Sequence, residues 1–413
     1  MILKKGRYRY NGFYENWKSV KLGNFVDVNP KSFLPRKFKY VDLESVVGTK
    51  LISFREEIRE SAPSRAQRVA QKGDVFFQTV RPYQKNNYLF DLNEDNYVFS
   101  TGYAQLRPKV DSAFLLARLQ EEGFVNKVIE RCTGTSYPAI NSKDLSRISI
   151  TIPEHFEEQT AIGTLFRTLD DLLSSYKDNL ANYQSLKATM LSKMFPKTGQ
   201  TVPEIRLDGF DAEWECVKMA DIFQIIDGDR GKSYPGESDF SSFGHTLFLD
   251  TGNVKKTGLD FSTTKFISEE KDKELRNGKL ILGDFILTSR GTLGNVAYYN
   301  EDIQKRYSSV RINSAMLILR PLLGDKISPD YILAVLRGNL ISNFMKVNQV
   351  GSAQPHITKK EFSKIKVLVP SNIQEQQAIG AYFSNLDNLI NSYQEKISQL
   401  ETLKKKLLQD MFI

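Results

Sequence analysis

One segment of this chain occurs twice, and that duplication constrains its fold more than any other feature. Pro153-Glu154-His155-Phe156-Glu157-Glu158-Gln159-Thr160-Ala161-Ile162-Gly163 returns as Pro370-Ser371-Asn372-Ile373-Gln374-Glu375-Gln376-Gln377-Ala378-Ile379-Gly380, an offset of 370 minus 153, or 217. The same offset carries Leu169-Asp170 onto Leu386-Asp387, Ser175-Tyr176 onto Ser392-Tyr393 and Met194-Phe195 onto Met411-Phe412. It also carries Gly134-Thr135-Ser136-Tyr137-Pro138-Ala139-Ile140 onto Gly351-Ser352-Ala353-Gln354-Pro355-His356-Ile357. Upstream the offset shrinks in order: Arg107 pairs with Arg320, Gly73-Asp74 with Gly283-Asp284, and Trp17 with Trp214. An ordered drift is the mark of two homologous units, the second with longer loops.

Each copy has two parts. The first carries short β-like runs, such as Asp74–Val80 and Asp284–Ser289, punctuated by glycine and proline and followed by helical stretches near 113–131 and 328–347. The second is a long helix. Ile162, Phe166, Leu169, Leu173, Tyr176, Leu180, Tyr183, Met190 and Met194 recur at alternating steps of four and three, broken only by Lys187. Ile379, Phe383, Leu386, Ile390, Tyr393, Ile397, Leu400, Leu407 and Met411 do the same, broken at Lys404. That is a heptad seam. The expected fold class is α+β: an internal duplication of two globular mixed α/β units, each followed by a long helix, the helices pairing as an antiparallel coiled coil. The expected boundaries are 1–152, 153–196, 197–369 and 370–413. A helix of roughly 40 residues spans about 60 Å, so antiparallel pairing would put the globular units at opposite ends of a rod.

Composition narrows the function. Lys+Arg exceed Asp+Glu by 57 to 49, a net charge of +8 over 413 residues, which is compatible with a polyanionic partner. Two cysteines, Cys132 and Cys216, are too few for a disulfide scaffold or a cysteine-rich zinc site, and the three histidines are scattered. No apolar run spans a bilayer and the first residues do not read as a signal peptide, so a cytoplasmic protein is expected. Gly228-Asp229-Arg230-Gly231-Lys232-Ser233 ends like a phosphate loop, but Ile226 stands where its first glycine belongs. No catalytic residue and no metal site is assigned.

Two loops have side chains suited to reading DNA. Arg81-Pro82-Tyr83-Gln84-Lys85-Asn86-Asn87 follows a strand; arginine can bridge guanine O6 and N7, glutamine or asparagine can bridge adenine N6 and N7, and lysine can neutralise phosphate. The matching place in the second copy holds Ser289, Arg290, Thr292 and Asn295 among glycines that let backbone approach phosphate. The glycine-to-proline turns add Ser136 and Tyr137 in one copy, Ser352 and Gln354 in the other. A polar surface turn is the competing reading of the two loops, and a structural turn joining helix to strand that of the glycine-to-proline turns. For the helices, Ile162, Phe166, Leu169, Tyr176, Ile379, Phe383, Leu386 and Tyr393 are the candidate partner-binding residues.

The chain resembles the specificity subunits of type I restriction-modification systems. The resemblance rests on the Pro-x-x-x-x-Glu-Gln-x-x-Ile-Gly block opening each long helix, the Gly-[Thr/Ser]-x-x-Pro-x-Ile turn before it, and the Gly-Phe-x-x-x-Trp entry to each unit (Gly12, Phe13, Trp17; Gly209, Phe210, Trp214). It implies that each globular unit is a target recognition domain reading one half of a split DNA sequence. It also implies that the helices set the gap and dock two adenine methyltransferase subunits, with restriction/translocase subunits completing the complex. No cofactor would then belong to this chain: S-adenosylmethionine would sit in the methyltransferase, ATP and Mg in the restriction partner. A non-catalytic coiled-coil adaptor for protein partners, or a fused nuclease or methyltransferase fragment, are the alternatives.

Overall fold

The structure, a computed structural model, describes residues 2–4, 7–9, 13, 16–197, 199–348 and 356–412. It divides into two compact units: residues 1–178 with 395–413, and residues 179–394. Each unit therefore holds one end of each long helix, Phe156–Lys193 and Ile373–Met411.

In unit one a four-stranded sheet runs in the order Tyr88–Leu89, Val75–Gln78, Tyr103–Pro108, Val26–Val28. Unit two repeats that order with Val296–Tyr298, Phe285–Thr288, Met316–Pro321 and Phe223–Asp227. The central strands are buried along their whole length because both faces are covered. Period-two alternation sorts their side chains. Val75 and Phe77 face the helices Ser112–Gln120 and Glu122–Ile129, whose Leu115, Leu119, Phe124 and Val128 complete that core. Phe76 faces the other way and stacks on Phe99 of a second sheet, ring centroids 3.6 Å apart. In unit two Phe285 and Leu287 meet Tyr331, Ile332 and Val335 of the helix Pro329–Arg337, while Ile286 joins Leu247, Leu249 and Ile312. In the second sheets, strands Lys37–Val41 and Tyr97–Ser100 pair parallel, as do Thr246–Leu249 and Val310–Ile312.

The single helical stretches expected near 113–131 and 328–347 are each broken. Glu121 leaves helical geometry to cap the second helix of unit one, its carboxylate accepting the Phe124 N–H, and Gly338 separates Pro329–Arg337 from Asn339–Asn348.

Within each unit the two long helices run antiparallel. In unit one Asp170 pairs with Lys404 and Lys177 with Glu401, so residue numbers fall on one helix as they rise on the other. In unit two Lys187 pairs with Asp387, and Tyr183 meets Tyr393 at 5.5 Å. The two lysines that interrupt the heptads are thus the cations that meet the opposite helix's aspartate, a polar pair of the kind that fixes coiled-coil register. The aromatic residues just past the ends of the helices are captured likewise. Phe412 packs on Trp17, Phe114 and Phe166 in unit one; Phe195 packs on Trp214, Tyr331 and Phe383 in unit two.

The duplicated Glu-Gln-x-x-Ile-Gly block clamps each unit to its helix. Trp17 Nε1 donates to Glu158 at 3.2 Å, and Trp214 Nε1 to Glu375 at 3.2 Å. Gln159 and Gln376 each donate to the carbonyl of the block's own proline, Pro153 or Pro370, at 2.9 Å. Their amide oxygens accept the backbone N–H of Asp111 and of Ser328, the caps of the facing helices. Glycine closes the block because nothing larger fits. A Cβ on Gly163 would lie 2.7 Å from the Phe114 nitrogen, and one on Gly380 2.6 Å from the Tyr331 nitrogen. Asp74 and Asp284, fully buried, receive bidentate Arg107 and Arg320.

Candidate nucleic-acid interface

The register of the first sheet sends Val75–Gln78 and Val26–Val28 toward the same edge, since both run antiparallel to Tyr103–Pro108. At that edge the Thr79 N–H and hydroxyl both donate to the Gly102 carbonyl, at 2.9 and 2.8 Å. The chain then makes the loop of Arg81 to Asn87. Arg81 and Lys85 both take positive φ, 54° and 56°, around the short helical turn Pro82–Gln84. Asn29, at the root of the neighbouring loop, has φ 51°. These are the only non-glycine residues with positive φ among the described residues, and such conformations cost about 1–3 kcal/mol each.

The second predicted stretch of unit one lies against the first. Arg81 N–H donates to the Pro138 carbonyl at 2.8 Å, and Ile140 N–H to the Thr79 carbonyl at 3.0 Å. This brings the Arg81 guanidinium to 4.3 Å from the Tyr137 ring centroid. The cation sits over an exposed aromatic face, which restrains it before any ligand arrives. Tyr83, Gln84, Ser136 and Tyr137 are exposed. The rest of the predicted loop is engaged internally, and the exposed Gln84 also accepts from Gln78 Nε2 at 2.8 Å. Lys85 pairs with Glu122 at 2.6 Å, the Asn86 side chain accepts the Gly48 N–H at 2.9 Å, and buried Asn87 accepts the Gln78 N–H at 2.8 Å.

Unit two repeats the join with other residues. Ser289 N–H donates to Ala315 O at 2.8 Å, matching Thr79 to Gly102, and Ile357 N–H donates to Ser289 O at 2.9 Å, matching Ile140 to Thr79. Ser289 and Asn295 are buried; the Asn295 amide donates to Val254 O at 2.8 Å and holds the loop from inside. Arg290 and Thr292 are exposed. Ser352 and Gln354 lie outside the described residues, as does Gly12.

Arg230, which the sequence does not mark as a DNA-reading residue, donates from its guanidinium to Ser314 O at 3.1 Å beside the Arg290 backbone. The stretch that resembles a phosphate loop is used otherwise. Gly228 packs against the Asn313 carbonyl so closely that a Cβ would meet it at 2.1 Å. Asp229 is a strut. Burial pushes its carboxyl up, but N–H donors from Gly231, Arg276 and Asn277 together hold it below the usual value.

The helix residues named as partner-binding face inward. Ile162, Phe166 and Leu169 are buried with Leu407, Met411 and Phe412, while Ile379, Phe383 and Leu386 are buried in the core of unit two. Tyr176 lies under Lys396 at 5.7 Å and Tyr393 against Tyr183. Four other leucines on the helices are exposed instead: Leu172 (41%) and Leu403 (44%) in unit one, Leu186 (37%) and Leu389 (42%) in unit two. They are copies of one another, Leu172 matching Leu389 and Leu186 matching Leu403 at the offset of the repeat. Their exposure could not be read from the heptads, because the signal there marks only the seam.

No described helix is long and apolar enough to cross a membrane. The specificity subunit of the MjaVIII type I restriction enzyme of Methanocaldococcus jannaschii is 22% identical over 95% of this chain and 91% of its own length. That of the HindI enzyme of Haemophilus influenzae is 20% identical over 89% and 90%. The fold matches the crystal structure of the type I restriction-modification S subunit from M. genitalium, with TM-score 0.67 at 16% identity over 100% of this chain and 99% of that one. The family described as "Type I restriction modification DNA specificity domain" matches residues 14–182 and again 211–402. With two copies spanning most of its length, the chain belongs to that family.

Proposed function

We propose that this chain selects the DNA sequence on which a type I restriction-modification complex acts, and that it does no chemistry itself. Unit one reads one half of a split target with Arg81, Tyr83, Gln84, Ser136 and Tyr137. Unit two reads the other half with Arg290 and Thr292, joined by Ser352 and Gln354. Lys85, Asn86, Asn87, Ser289 and Asn295 hold these loops in shape. The observation that carries the reading is the duplicated join: one backbone bond, from Ile140 to Thr79 and from Ile357 to Ser289, ties the same two loops at the same sheet edge in both units. The loops themselves differ. A frame kept constant beneath changed loop chemistry is what two half-site readers require.

The paired helices set the unspecific gap between the halves and dock two adenine methyltransferase subunits in the cytoplasm. A partly exposed pair of leucines on each stretch, Leu172 with Leu403 and Leu186 with Leu389, supports docking on the outer surface of the helices rather than on the filled seam. S-adenosylmethionine belongs to those partners, and ATP with Mg to the restriction subunits. The test is to co-express the chain with the methyltransferase encoded beside it and to map modified adenines across the host genome. A split motif that appears only with this chain is the expected result. A stable complex that leaves no new motif would contradict DNA selection and favour an adaptor.

A further inference from the structure

The loop arginines do not stand alone at the sheet edge. In unit one the turn Thr101-Gly102 is bonded on both sides: the Gly102 carbonyl accepts from Thr79, two residues before Arg81, and the Thr101 N–H donates to the Arg65 carbonyl at 2.8 Å. Arg65 is exposed and immediately precedes the strand Ala66–Val69. In unit two the turn Asn313 to Ala315 is bonded the same way on one side, while the other bond comes from Ile312 of the strand just before it. Ala315 accepts from Ser289 and Arg290, and Ile312 N–H donates to Gly278 O at 2.9 Å. Exposed Arg276 stands two residues before Gly278, on the segment that bridges to the second sheet at Lys279. Its backbone N–H is fixed by the Asp229 carboxylate at 2.6 Å, which leaves the guanidinium free to project.

We infer that Arg65 and Arg276 are phosphate-holding residues, one per half-site, that fix each recognition loop on the DNA backbone while Arg81 and Arg290 face the bases. Three observations carry this. Both arginines arise on the same side of the same turn in two units whose loops otherwise diverge. No described carboxylate lies within ion-pair distance of Arg65, Arg81, Arg276 or Arg290, so each is available to an external anion. Finally, the two arginines of unit one differ in preparation. Arg81 is restrained by Tyr137, as directional base contact demands, whereas Arg65 has no such contact among the described residues, which suffices for a phosphate.

The inference rests on the proposed DNA-reading role, and one experiment separates the two. The chain is purified with its methyltransferase subunits, and binding to duplexes with and without the mapped motif is followed by anisotropy across salt. Arg65→Gln and Arg276→Gln should each lower the slope of log K against log salt by about one. Each should weaken binding about five-fold at ~0.1 M salt on both duplexes, with the methylated motif unchanged. Arg65→Lys and Arg276→Lys, which keep the charge, should keep the slope. An unchanged slope in the Gln variants, with the complex intact, overturns the assignment. So does a shifted motif, which would make these arginines base readers. A wild-type complex that binds neither duplex would instead overturn the DNA-reading role itself.

Discussion

Unit one and unit two agree where packing decides and disagree where a ligand would. Trp17–Glu158 and Trp214–Glu375, Gln159–Pro153 and Gln376–Pro370, and Asp74–Arg107 and Asp284–Arg320 are the same bonds made twice. The loops they support are not. Unit one presents a strained, aromatic-backed arginine; unit two presents Arg290 just before Gly291, with Arg230 laid on the adjoining turn. Even the interior departs in places. Arg311 lies in the second sheet of unit two, bound to buried Asp272, where unit one has the apolar Val98. Duplication therefore preserved the scaffold and released the surface, which separates residues that build the fold from residues that select a target.

That equivalence can be broken most forcefully at the aromatic clusters. Phe166→Ala and Phe383→Ala should each cost about 3–5 kcal/mol in urea unfolding, because each empties a fully packed site. Costs differing by more than about 2 kcal/mol would show that the two clamps are not alike. Asp74→Ala and Asp284→Ala come next, at about 3 kcal/mol, since each strands a partly buried arginine. Asp74 should cost more, because Gln105 Nε2 also donates to it at 2.6 Å, whereas Ile318 stands at the matching position in unit two.

The helix lysines sharpen the comparison at about 1–2 kcal/mol. Among the described residues, Lys404→Met leaves Asp170 with only Thr49 at 3.3 Å, while Lys187→Met leaves Asp387 with Arg337 at 3.6 Å. The first should be the more damaging in thermal melts. The smallest expected effect is acid lability confined to unit two. Burial raises the Asp272 carboxyl, but Lys279 and Arg311 together hold it below its ordinary value. A depressed carboxyl adds stability above the unfolded value near about 3.9, and loses it as pH falls through the folded value beneath. Asp272→Asn should lower stability at neutral pH and flatten its decline below about pH 4. Identical pH slopes for the variant and the parent would remove Asp272 as the cause.

Much of this architecture was legible in the chain. The repeated block announced two units, and steps of four and three announced helices whose apolar stripes needed partners. The Pro-x-x-x-x-Glu-Gln-x-x-Ile-Gly block could be recognised but not explained, since its Trp and helix-cap partners are distant in sequence. Lys187 and Lys404 read as faults in the heptads because an ion pair across helices has no local signal. The loops were the least legible. Asn87, Ser289 and Asn295 have the composition of a binding loop yet are buried, while Arg65 and Arg276 belong to segments with no motif at all. Side-chain direction in an irregular loop depends on contacts far along the chain, and residue type alone does not carry it.

The most direct test of a constant frame with interchangeable readers is to exchange Arg81 to Asn87, together with Ser136 and Tyr137, for the corresponding residues of another family member. Methylated adenines are then mapped beside the parent. The account predicts a split motif whose first half changes while its second half and gap stay as they were. A motif altered in both halves, or not altered at all, would contradict it.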